Sequence, residues 1–270
     1  MDIADSNYEN NTSINIREKI IVKKYQNFSR MLCEQRALIK LNRENIVPHL
    51  IESDFGNKTI KISFLDGKNP SPEFLFQKLP LLCESIEKIH KYHTIWSGYL
   101  CSPSEILWKN YMLRKYSSRY EMIRPYISNI ELIDKFFLSE FSKFSFKKSN
   151  CLLHYDLKPA NIIFDKNKNR FNLIDFDRAL FGDPLMDYSK LWWRAWNIDS
   201  VSINKLEKCL EKYYEIGNDF QELMFFYTQL HCIGALAYYT STFNSKYRPI
   251  ANSAMELTQN IIDTRIRWKL

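Results

Sequence analysis

Apolar and polar residues alternate in short runs over the first part of the chain, a pattern typical of β-strands. Residues 12–25 predict a hairpin with its turn at 17–19, because alternating isoleucines on either side are separated by charged residues. Residues 28–42 have an apolar stripe at helical spacing and predict a helix. Two further strands are predicted at 46–53 and 59–65.

The pattern changes after Asp66-Gly67-Lys68-Asn69-Pro70, a stretch of turn-forming residues. Long segments with helical periodicity follow at 72–93, 104–126 and 130–144, and the chain is helical again from about 187. Short apolar runs between 151 and 175 predict brief strands around loops. The predicted fold class is therefore α+β, with a small N-terminal β-sheet lobe (residues 1–65) holding one helix and a large, mainly helical lobe (residues 66–270).

Composition removes several classes of protein from consideration. Hydrophobic residues make up 45% of the 270 residues, but no apolar run is long enough to span a bilayer, so we expect no membrane insertion. Six scattered cysteines without a closely spaced pair favour free thiols and a cytoplasmic location. The net charge is +7, yet the basic residues are dispersed, so nucleic acid is not an expected partner.

One segment carries a pattern suited to phosphoryl transfer. Asp156 is followed by Asn161 five residues later and by Asp175 after a further short hairpin. Phosphoryl transfer needs a group that orients the attacking hydroxyl, oxygen ligands for Mg²⁺, and positive charge near the phosphates. Asp156 fits the first need, Asn161 and Asp175 the second, and Lys158 could reach the transferred phosphate, while His154 would brace the loop.

The same segment resembles a known family. His154 to Asn161 and then Ile174-Asp175-Phe176 are similar to the catalytic and metal motifs of the protein-kinase-like superfamily. Gly182 to Asp187 follows, reading Gly-Asp-Pro-Leu-Met-Asp, and this order resembles the aminoglycoside phosphotransferase and choline kinase group. The resemblance implies a two-lobed kinase-like fold with ATP and Mg²⁺ as cofactors. Asp183 is expected to cap or brace the loop in which it lies, and Asp187 to brace the catalytic loop.

The N-terminal segment agrees with this resemblance. Ile20-Ile21-Val22-Lys23 resembles the strand that ends in the phosphate-binding lysine, and strand alternation puts Ile21 and Lys23 on one face. Ile21 would then cover the adenine, and Glu34 in the next helix would hold Lys23. Phe64 and Leu65 resemble the hinge whose backbone binds adenine. Lys24 is the alternative to Lys23 as the phosphate-binding lysine. Its other possible role is that of a solvent-exposed lysine of the strand.

One departure from the family pattern concerns the phosphates, and Asp177 adds a further resemblance next to the metal motif. The chain has only six glycines and none before Lys23, so a glycine-rich phosphate loop is absent, and residues 6–13 are the candidate replacement. Asp177 follows the metal motif in a way that resembles kinases of lipopolysaccharide sugars. It could position a substrate hydroxyl, or form a salt bridge with Arg178 or a lysine.

The acceptor is expected to be small. Only six residues separate Asp175 from Gly182, which leaves no room for the segment that docks a peptide in protein kinases. The favoured function is an ATP-dependent kinase of a small hydroxylated molecule. The alternatives are a lipopolysaccharide-sugar kinase, a protein kinase, or a catalytically silent nucleotide-binding protein. Trp192, Trp193 and Trp196 are candidates for the substrate pocket, although aromatic residues at helical spacing are more often core.

Overall fold

The computed structural model describes residues 11–103, 107–144, 150–195, 200–215, 217–262 and 267–268. Trp196 and most of the segment 6–13 therefore lie outside the described residues. No helix within the described ranges is both long and apolar enough to cross a membrane. We call residues 11–65 the small lobe and the remainder the large lobe, and the division between residues 65 and 66 stays a prediction.

The small lobe is built on a four-stranded antiparallel sheet with the order β1-β2-β4-β3. Its strands are β1 (Asn11–Asn15), β2 (Ile20–Lys24), β3 (Leu50–Asp54) and β4 (Thr59–Ser63). The predicted hairpin at 12–25 is confirmed, and its turn contains Lys19 in a left-handed conformation. The strand predicted from residue 46 begins only at Leu50, because Ile46 and Val47 are buried in the core ahead of it.

A single helix, α1 (Phe28–Lys40), packs on this sheet as the apolar stripe predicts. Asn27 caps its first turn, since the side-chain oxygen accepts a hydrogen bond from the Arg30 amide. Met31, Ala37 and Leu38 are buried against the sheet. The same buried face carries Glu34, so the core of the small lobe contains a carboxylate that needs a partner.

The first helical segment of the large lobe differs from the prediction. In place of one helix over 72–93 there are two, α2 (Pro72–Gln77) and α3 (Leu79–His90), and the segment ends in a two-residue strand. Pro80 explains the interruption, because proline lacks the amide that would continue the hydrogen-bond ladder of α2 and its ring clashes with the preceding turn. Proline is well tolerated at the first turn of α3.

The described part of the large lobe continues with eleven α-helices and β-strands and ends with three more. In chain order they are β5 (His93–Thr94), β6 (Gly98–Tyr99), α4 (Trp108–Ile123), β7 (Ile127–Ser128), α5 (Ile130–Lys143), β8 (Asn150–Leu153), β9 (Ile162–Asp165), β10 (Arg170–Leu173), β11 (Leu180–Gly182), α6 (Leu185–Ala195) and α7 (Ser200–Leu210). The chain then continues through α8 (Phe220–Thr242), α9 (Arg248–Ile262) and β12 (Arg267–Trp268). The predicted hairpin between 151 and 175 is present as β9 and β10, which pair antiparallel.

The core continues from one lobe into the other and fixes how the hairpin is held. One apolar cluster joins Leu38 and Ile60 of the small lobe to Leu173 and Phe176 beside the hairpin. The Leu173 amide donates a hydrogen bond to the carbonyl of Ile46, 2.7 Å away, so the end of β10 is tied to the small lobe. The loops on either side of β9 and β10 therefore face the cleft between the lobes.

Candidate active site

Lys23 and Glu34 form a buried ion pair in the small lobe. Strand β2 turns Lys23 toward α1 and leaves Lys24 exposed, and the Lys23 Nζ atom lies 2.7 Å from Glu34 Oε1. The Tyr25 hydroxyl donates to the other oxygen of Glu34. Burial disfavours the charged lysine, but the carboxylates of Glu34 and Asp175 outweigh it and raise the pKa of Lys23 above its ordinary value. Lys23 therefore carries its charge at any physiological pH.

The same lysine reaches across to the large lobe. Its Nζ atom lies 3.0 Å from Asp175 Oδ1, at the start of the loop after β10. Asp175 has a left-handed backbone with φ of 71°, an uncommon conformation for a residue other than glycine. Burial would raise the pKa of Asp175, but the charge of Lys23 outweighs it and lowers that pKa below its ordinary value. Asp175 is thus an anion held at the boundary of the two lobes.

Asp187 holds the loop that follows β8. Its two carboxylate oxygens accept hydrogen bonds from the backbone amides of His154 and Tyr155, at 2.8 and 2.6 Å. His90 at the end of α3 lies 3.1 Å from the same carboxylate. Asp183 instead caps the first turn of α6, by accepting from the Leu185 amide at 2.9 Å. A fully buried carboxylate thus fixes the backbone immediately before Asp156.

His154 braces the loop from the inside. Its Nε2 atom lies 2.8 Å from the carbonyl oxygen of Ile174, which can only accept, so Nε2 carries the proton. The Nδ1 atom then accepts a hydrogen bond from the Asp156 amide at 3.3 Å. One imidazole ring therefore connects the loop of Asp156 to the residue directly before Asp175.

Asp156 lies at the bottom of the cleft among three nitrogen donors. Its Oδ2 atom is 2.7 Å from Lys158 Nζ and 3.2 Å from Asn161 Nδ2, and its Oδ1 atom is 3.9 Å from Lys190 Nζ. Burial acts to raise the pKa of Asp156, but the charges of Lys190 and Lys158 outweigh it and hold that pKa well below its usual range. The carboxylate is ionised at neutral pH and is held in place by its contacts.

Asn161 and Asp175 have the oxygen atoms that a magnesium ion requires. The Asn161 amide nitrogen donates to the Asp156 carbonyl at 2.9 Å, which leaves the side-chain oxygen for a metal. The backbone carbonyl of Asn161 accepts from the Ile174 amide at 3.1 Å, so Asn161 lies next to the metal loop. Asp175 uses one oxygen for Lys23 and retains the other. The two side chains therefore fit a hard cation that also takes phosphate oxygens.

Asp177 pairs with a residue that the sequence did not indicate. Arg30 Nη1 of α1 lies 3.2 Å from Asp177 Oδ2, and Arg30 was not among the expected alternatives of a substrate hydroxyl, Arg178 or a lysine. Burial and the nearby Asp175 raise the pKa of Asp177, and Arg30 acts in the opposite direction. Arg30 precedes Glu34 by four residues and so lies on the same face of α1, which was the available signal.

The segment predicted as the hinge connects the lobes at one edge of the cleft. The Phe64 amide donates to the Lys19 carbonyl at 2.8 Å, so this donor is already used within the small lobe. Gly67 has a φ of 137°, and a Cβ atom there would lie 2.4 Å from the Phe164 carbonyl oxygen. Any larger residue at position 67 would force the start of the large lobe away from β9.

Asn69 is a second residue that sequence reasoning missed. Its side-chain nitrogen lies 3.3, 3.0 and 2.8 Å from the carbonyl oxygens of Pro159, Ala160 and Ile162. It thereby supports the turn that carries Asn161. A polar residue after the Gly67 turn was the only sequence signal, and it does not distinguish a support from a solvated loop.

Helices of the large lobe form the opposite wall of the cleft, which has a volume of about 480 Å³. Of the candidate tryptophans, Trp193 lines the cleft, whereas Trp192 is buried and donates to the Ser202 hydroxyl at 2.8 Å. Tyr238 of α8 also lines the cleft, and Tyr239 belongs to the core. At the small-lobe side Thr12 of β1 lines the cleft near Lys23.

Solved structures place this architecture among known folds. The chain is similar to a choline/ethanolamine kinase family protein from Mesorhizobium loti, at 13% identity and a TM-score of 0.69, over 96% of this chain and 89% of that chain. It is similar to choline kinase LicA from Streptococcus pneumoniae, at 17% identity and a TM-score of 0.70, over 94% and 89%. The chain has the protein-kinase-like fold. The two-lobed α+β architecture predicted from the sequence is confirmed.

Two further comparisons concern the phosphotransferase resemblance. The structure is similar to the aminoglycoside phosphotransferase APH(2'')-IIa in its complex with streptomycin and ATP, at 17% identity and a TM-score of 0.61, over 95% of this chain and 90% of that chain. A sequence model described as "Phosphotransferase enzyme family" matches residues 133–207. That segment contains Asp156, Asn161, Asp175 and Asp187, so the resemblance drawn from these motifs is confirmed where the motifs lie.

Proposed function

We propose that the protein is a kinase that transfers the γ-phosphate of ATP to a hydroxyl group of a small molecule, with Mg²⁺. The observation that carries this proposal is that Lys23, Asp175 and Asp156 line one cleft between the lobes, where Asn161 donates a hydrogen bond to Asp156. Lys23 comes from the small lobe and the other three come from the loops after β8 and β10, and each has a chemical type that phosphoryl transfer requires. The similarity to a phosphotransferase solved with ATP supports the choice of nucleotide.

On this proposal Lys23 binds the α- and β-phosphates, and Glu34 holds the lysine in position. Ile21 of β2, half-buried on the sheet, covers the adenine, and the backbone of Phe64 and Leu65 binds its edge. Because the Phe64 amide is occupied by Lys19, the adenine contacts are the Phe64 carbonyl and the Leu65 amide. Asp175 and Asn161 would hold Mg²⁺, which neutralises charge on the phosphates when bound.

Asp156 orients the acceptor hydroxyl and takes its proton as the new bond to phosphorus forms. Its low pKa makes it a weak base, which suits a loose transition state in which the proton leaves late. Lys158 contacts Asp156 and compensates the negative charge that gathers as the phosphoryl group moves. ADP leaves as the bond between the β- and γ-phosphates breaks.

The short connection after Asp175 supports a small acceptor. Helix α6 begins at Leu185, and β11 occupies part of the intervening stretch, so the connection 176–184, which is described throughout, has no extended segment to dock a peptide. The helical wall around Trp193 instead encloses a space of the size that binds a metabolite.

The experiment that tests this proposal measures ATP binding by the purified protein. We expect ATP to raise the melting temperature in the presence of Mg²⁺ and much less in its absence. Asp175→Asn removes a charged oxygen ligand, so most of the magnesium-dependent increase should disappear. An Asp165→Asn variant, altered in the β9–β10 turn, is the control. ATP binding that does not depend on Mg²⁺ or on Asp175 contradicts the proposal.

A further inference from the structure

The helical wall of the cleft is rich in positive charge. Arg119 of α4, Lys190 and Arg194 of α6, and Lys246 before α9 all line it. The three carboxylates among the described residues of the cleft, Asp156, Asp175 and Asp177, all come from the loops after β8 and β10. Asp175 and Asp177 are paired with cations of the small lobe. The helices that enclose the acceptor space therefore contribute cations and aromatic rings.

Lys190 and Arg194 both lie close to one aromatic ring, that of Trp193. The Lys190 Nζ atom is 5.3 Å from the centre of the Trp193 ring, and the Arg194 guanidinium carbon is 5.4 Å from it. The two cations are one helical turn apart, a spacing at which like charges repel. Asp156 is the carboxylate near both, and its Oδ1 atom lies 3.9 Å from Lys190 Nζ. At 3.9 Å this contact is longer than a hydrogen bond, so donors of the Lys190 ammonium group are left for a second anion.

Burial supports the same picture. The Lys190 side chain is only 18% exposed. Burial lowers the pKa of Lys190 to about 8, Asp156 opposes this shift, and the positive charges of Arg194, Arg178 and Lys158 add to it. An anion bound here would remove the mutual repulsion of these cations, and its interactions would be stronger than on an exposed surface.

Arg119 gives the wall a fixed cation at a third position. Its guanidinium group donates to the Leu230 carbonyl at 3.3 Å and to the Tyr155 hydroxyl at 3.4 Å. A Cβ atom at Gly234 would lie only 3.0 Å from the guanidinium carbon, so this glycine allows α8 to approach Arg119 closely. The cationic wall is therefore rigid where it meets the catalytic loop.

We propose that the acceptor is a hydroxylated anion, whose carboxylate or phosphate group is bound by Lys190 and Arg194 while its hydroxyl lies at Asp156. This inference rests on the proposed kinase function and specifies its substrate class. The Trp193 ring provides an apolar surface for the carbon skeleton between the two polar ends. A cationic acceptor would instead face like charges on α4 and α6.

Two matched sets of compounds test the charge preference. One set is glucose, glucosamine, glucose 6-phosphate and glucuronate, and the other is glycerol, serinol, glycerol 3-phosphate and glycerate. Affinity is measured by calorimetry with a saturating non-hydrolysable ATP analogue and Mg²⁺, and ADP formation is followed with ATP. We expect an anion to bind best in each set, more weakly as salt rises. The phosphate and carboxylate members separate the two sources of charge.

Variants locate the site. Lys190→Gln and Arg194→Gln should each weaken binding of the preferred anion by at least about tenfold, the scale of a lost charge-assisted hydrogen bond, with little change in ATP affinity. Lys208→Gln, on the exposed face of α7, is the control and should bind the anion normally. An affinity order led by a neutral or cationic compound, or no difference between compounds, overturns the inference. So does anion binding that is unchanged in both α6 variants.

The outcomes separate this inference from the kinase proposal, because ATP binding is measured on the same preparation without acceptor. ATP binding without a preference for anions overturns the anionic acceptor and leaves the kinase proposal standing. Anion binding that needs Lys190, in a protein that does not bind ATP with Mg²⁺, supports the anion site and overturns the kinase proposal.

Discussion

The two walls of the cleft handle charge in different ways. On the small-lobe side each cation contacts a carboxylate, with Lys23 between Glu34 and Asp175 and Arg30 against Asp177. On the helical side, Lys190 and Arg194 both interact electrostatically with one carboxylate, that of Asp156 at the bottom of the cleft. The first arrangement stabilises a defined geometry before any ligand arrives. On the proposal of an anionic acceptor, the second arrangement is completed by the ligand, and the helical wall is where the acceptor is recognised.

The largest effect is expected from a substitution of Asp156, which lies at the bottom of the cleft between the two walls. Asp156→Asn keeps the shape of the side chain and removes its charge, so kcat should fall by roughly 10²–10⁴, the scale of a lost general base. ATP affinity should change little, because the Lys23–Glu34 pair is untouched. The measurement is kcat and ATP affinity in one purified variant. Turnover within a few-fold of wild type would exclude Asp156 as the catalytic residue.

The next largest effect is expected at Lys23, which is buried and paired with carboxylates, in contrast to its exposed neighbour Lys24. Lys23→Ala should lower kcat/KM for ATP by about 10–100-fold, since a buried cation that contacts two carboxylates is lost. Lys24→Ala is the matched control on the same strand and should be mild, because its side chain is exposed. Steady-state kinetics with varied ATP decide between them. Damage confined to Lys24→Ala would mean that the phosphate-binding lysine has been assigned to the wrong residue.

The third prediction concerns the Arg30–Asp177 ion pair on the small-lobe side of the cleft and its contribution to the stability of the fold. Arg30→Gln leaves a buried aspartate without this partner and should reduce the free energy of unfolding by about 2–4 kcal/mol. Adding Asp177→Asn should recover part of the loss. Lys61→Gln breaks the exposed pair with Glu52 and should change the free energy of unfolding very little, because solvent screens exposed ion pairs. Urea denaturation compares the variants, and equal losses in Arg30→Gln and Lys61→Gln would contradict the buried pair.

The smallest effect concerns the helical wall and pH. Lys190 is charged below its pKa of about 8 and loses its charge as the pH rises through that value. KM for an anionic acceptor should therefore rise a few-fold between pH 7 and 9, and Lys190→Gln should remove the dependence. Asp156, Lys158, Arg178, Arg194 and His231 face Lys190. Burial lowers the pKa of His231 and the nearby lysines hold the pKa of Asp156 low, so neither group titrates in this window. A pH profile that is the same in both proteins would contradict the assignment.

Local pattern was enough to predict much of the fold. The hairpin of β1 and β2, helix α1 and the β9–β10 hairpin follow from periods of two and about 3.6 residues, which local sequence displays directly. The break between α2 and α3 was also local, because Pro80 stands in the sequence, but the strong apolar stripe on both sides concealed it. The two-residue strands β5 and β6 depend on pairing with distant segments, so no local signal marks them.

The candidate site divides in the same way. Asp156, Asn161 and Asp175 lie close together along the chain, and their spacing indicates their chemistry. Arg30 reaches Asp177 across 147 residues of sequence, so only the packing of α1 against the large lobe reveals the pair. In the sequence, Lys190 resembles an ordinary solvent-exposed residue of a helix. Only the structure shows that Lys190 lines the cleft with 18% of its side chain exposed.

Helix α6 has a consequence for how such an enzyme could acquire a new acceptor. Its first turn carries Asp187, which fixes the backbone before Asp156, and its later turns carry Lys190 and Arg194. On the proposed roles, one helix therefore carries both the side chains that bind the acceptor and the carboxylate that positions the catalytic loop. A substitution at position 190 or 194 would change only the side chains of the proposed acceptor site. A change that tilts or shifts the helix would also move Asp187, and with it the loop that positions Asp156. Evolution along this wall should accordingly proceed by exchange of side chains on a helix that keeps its position.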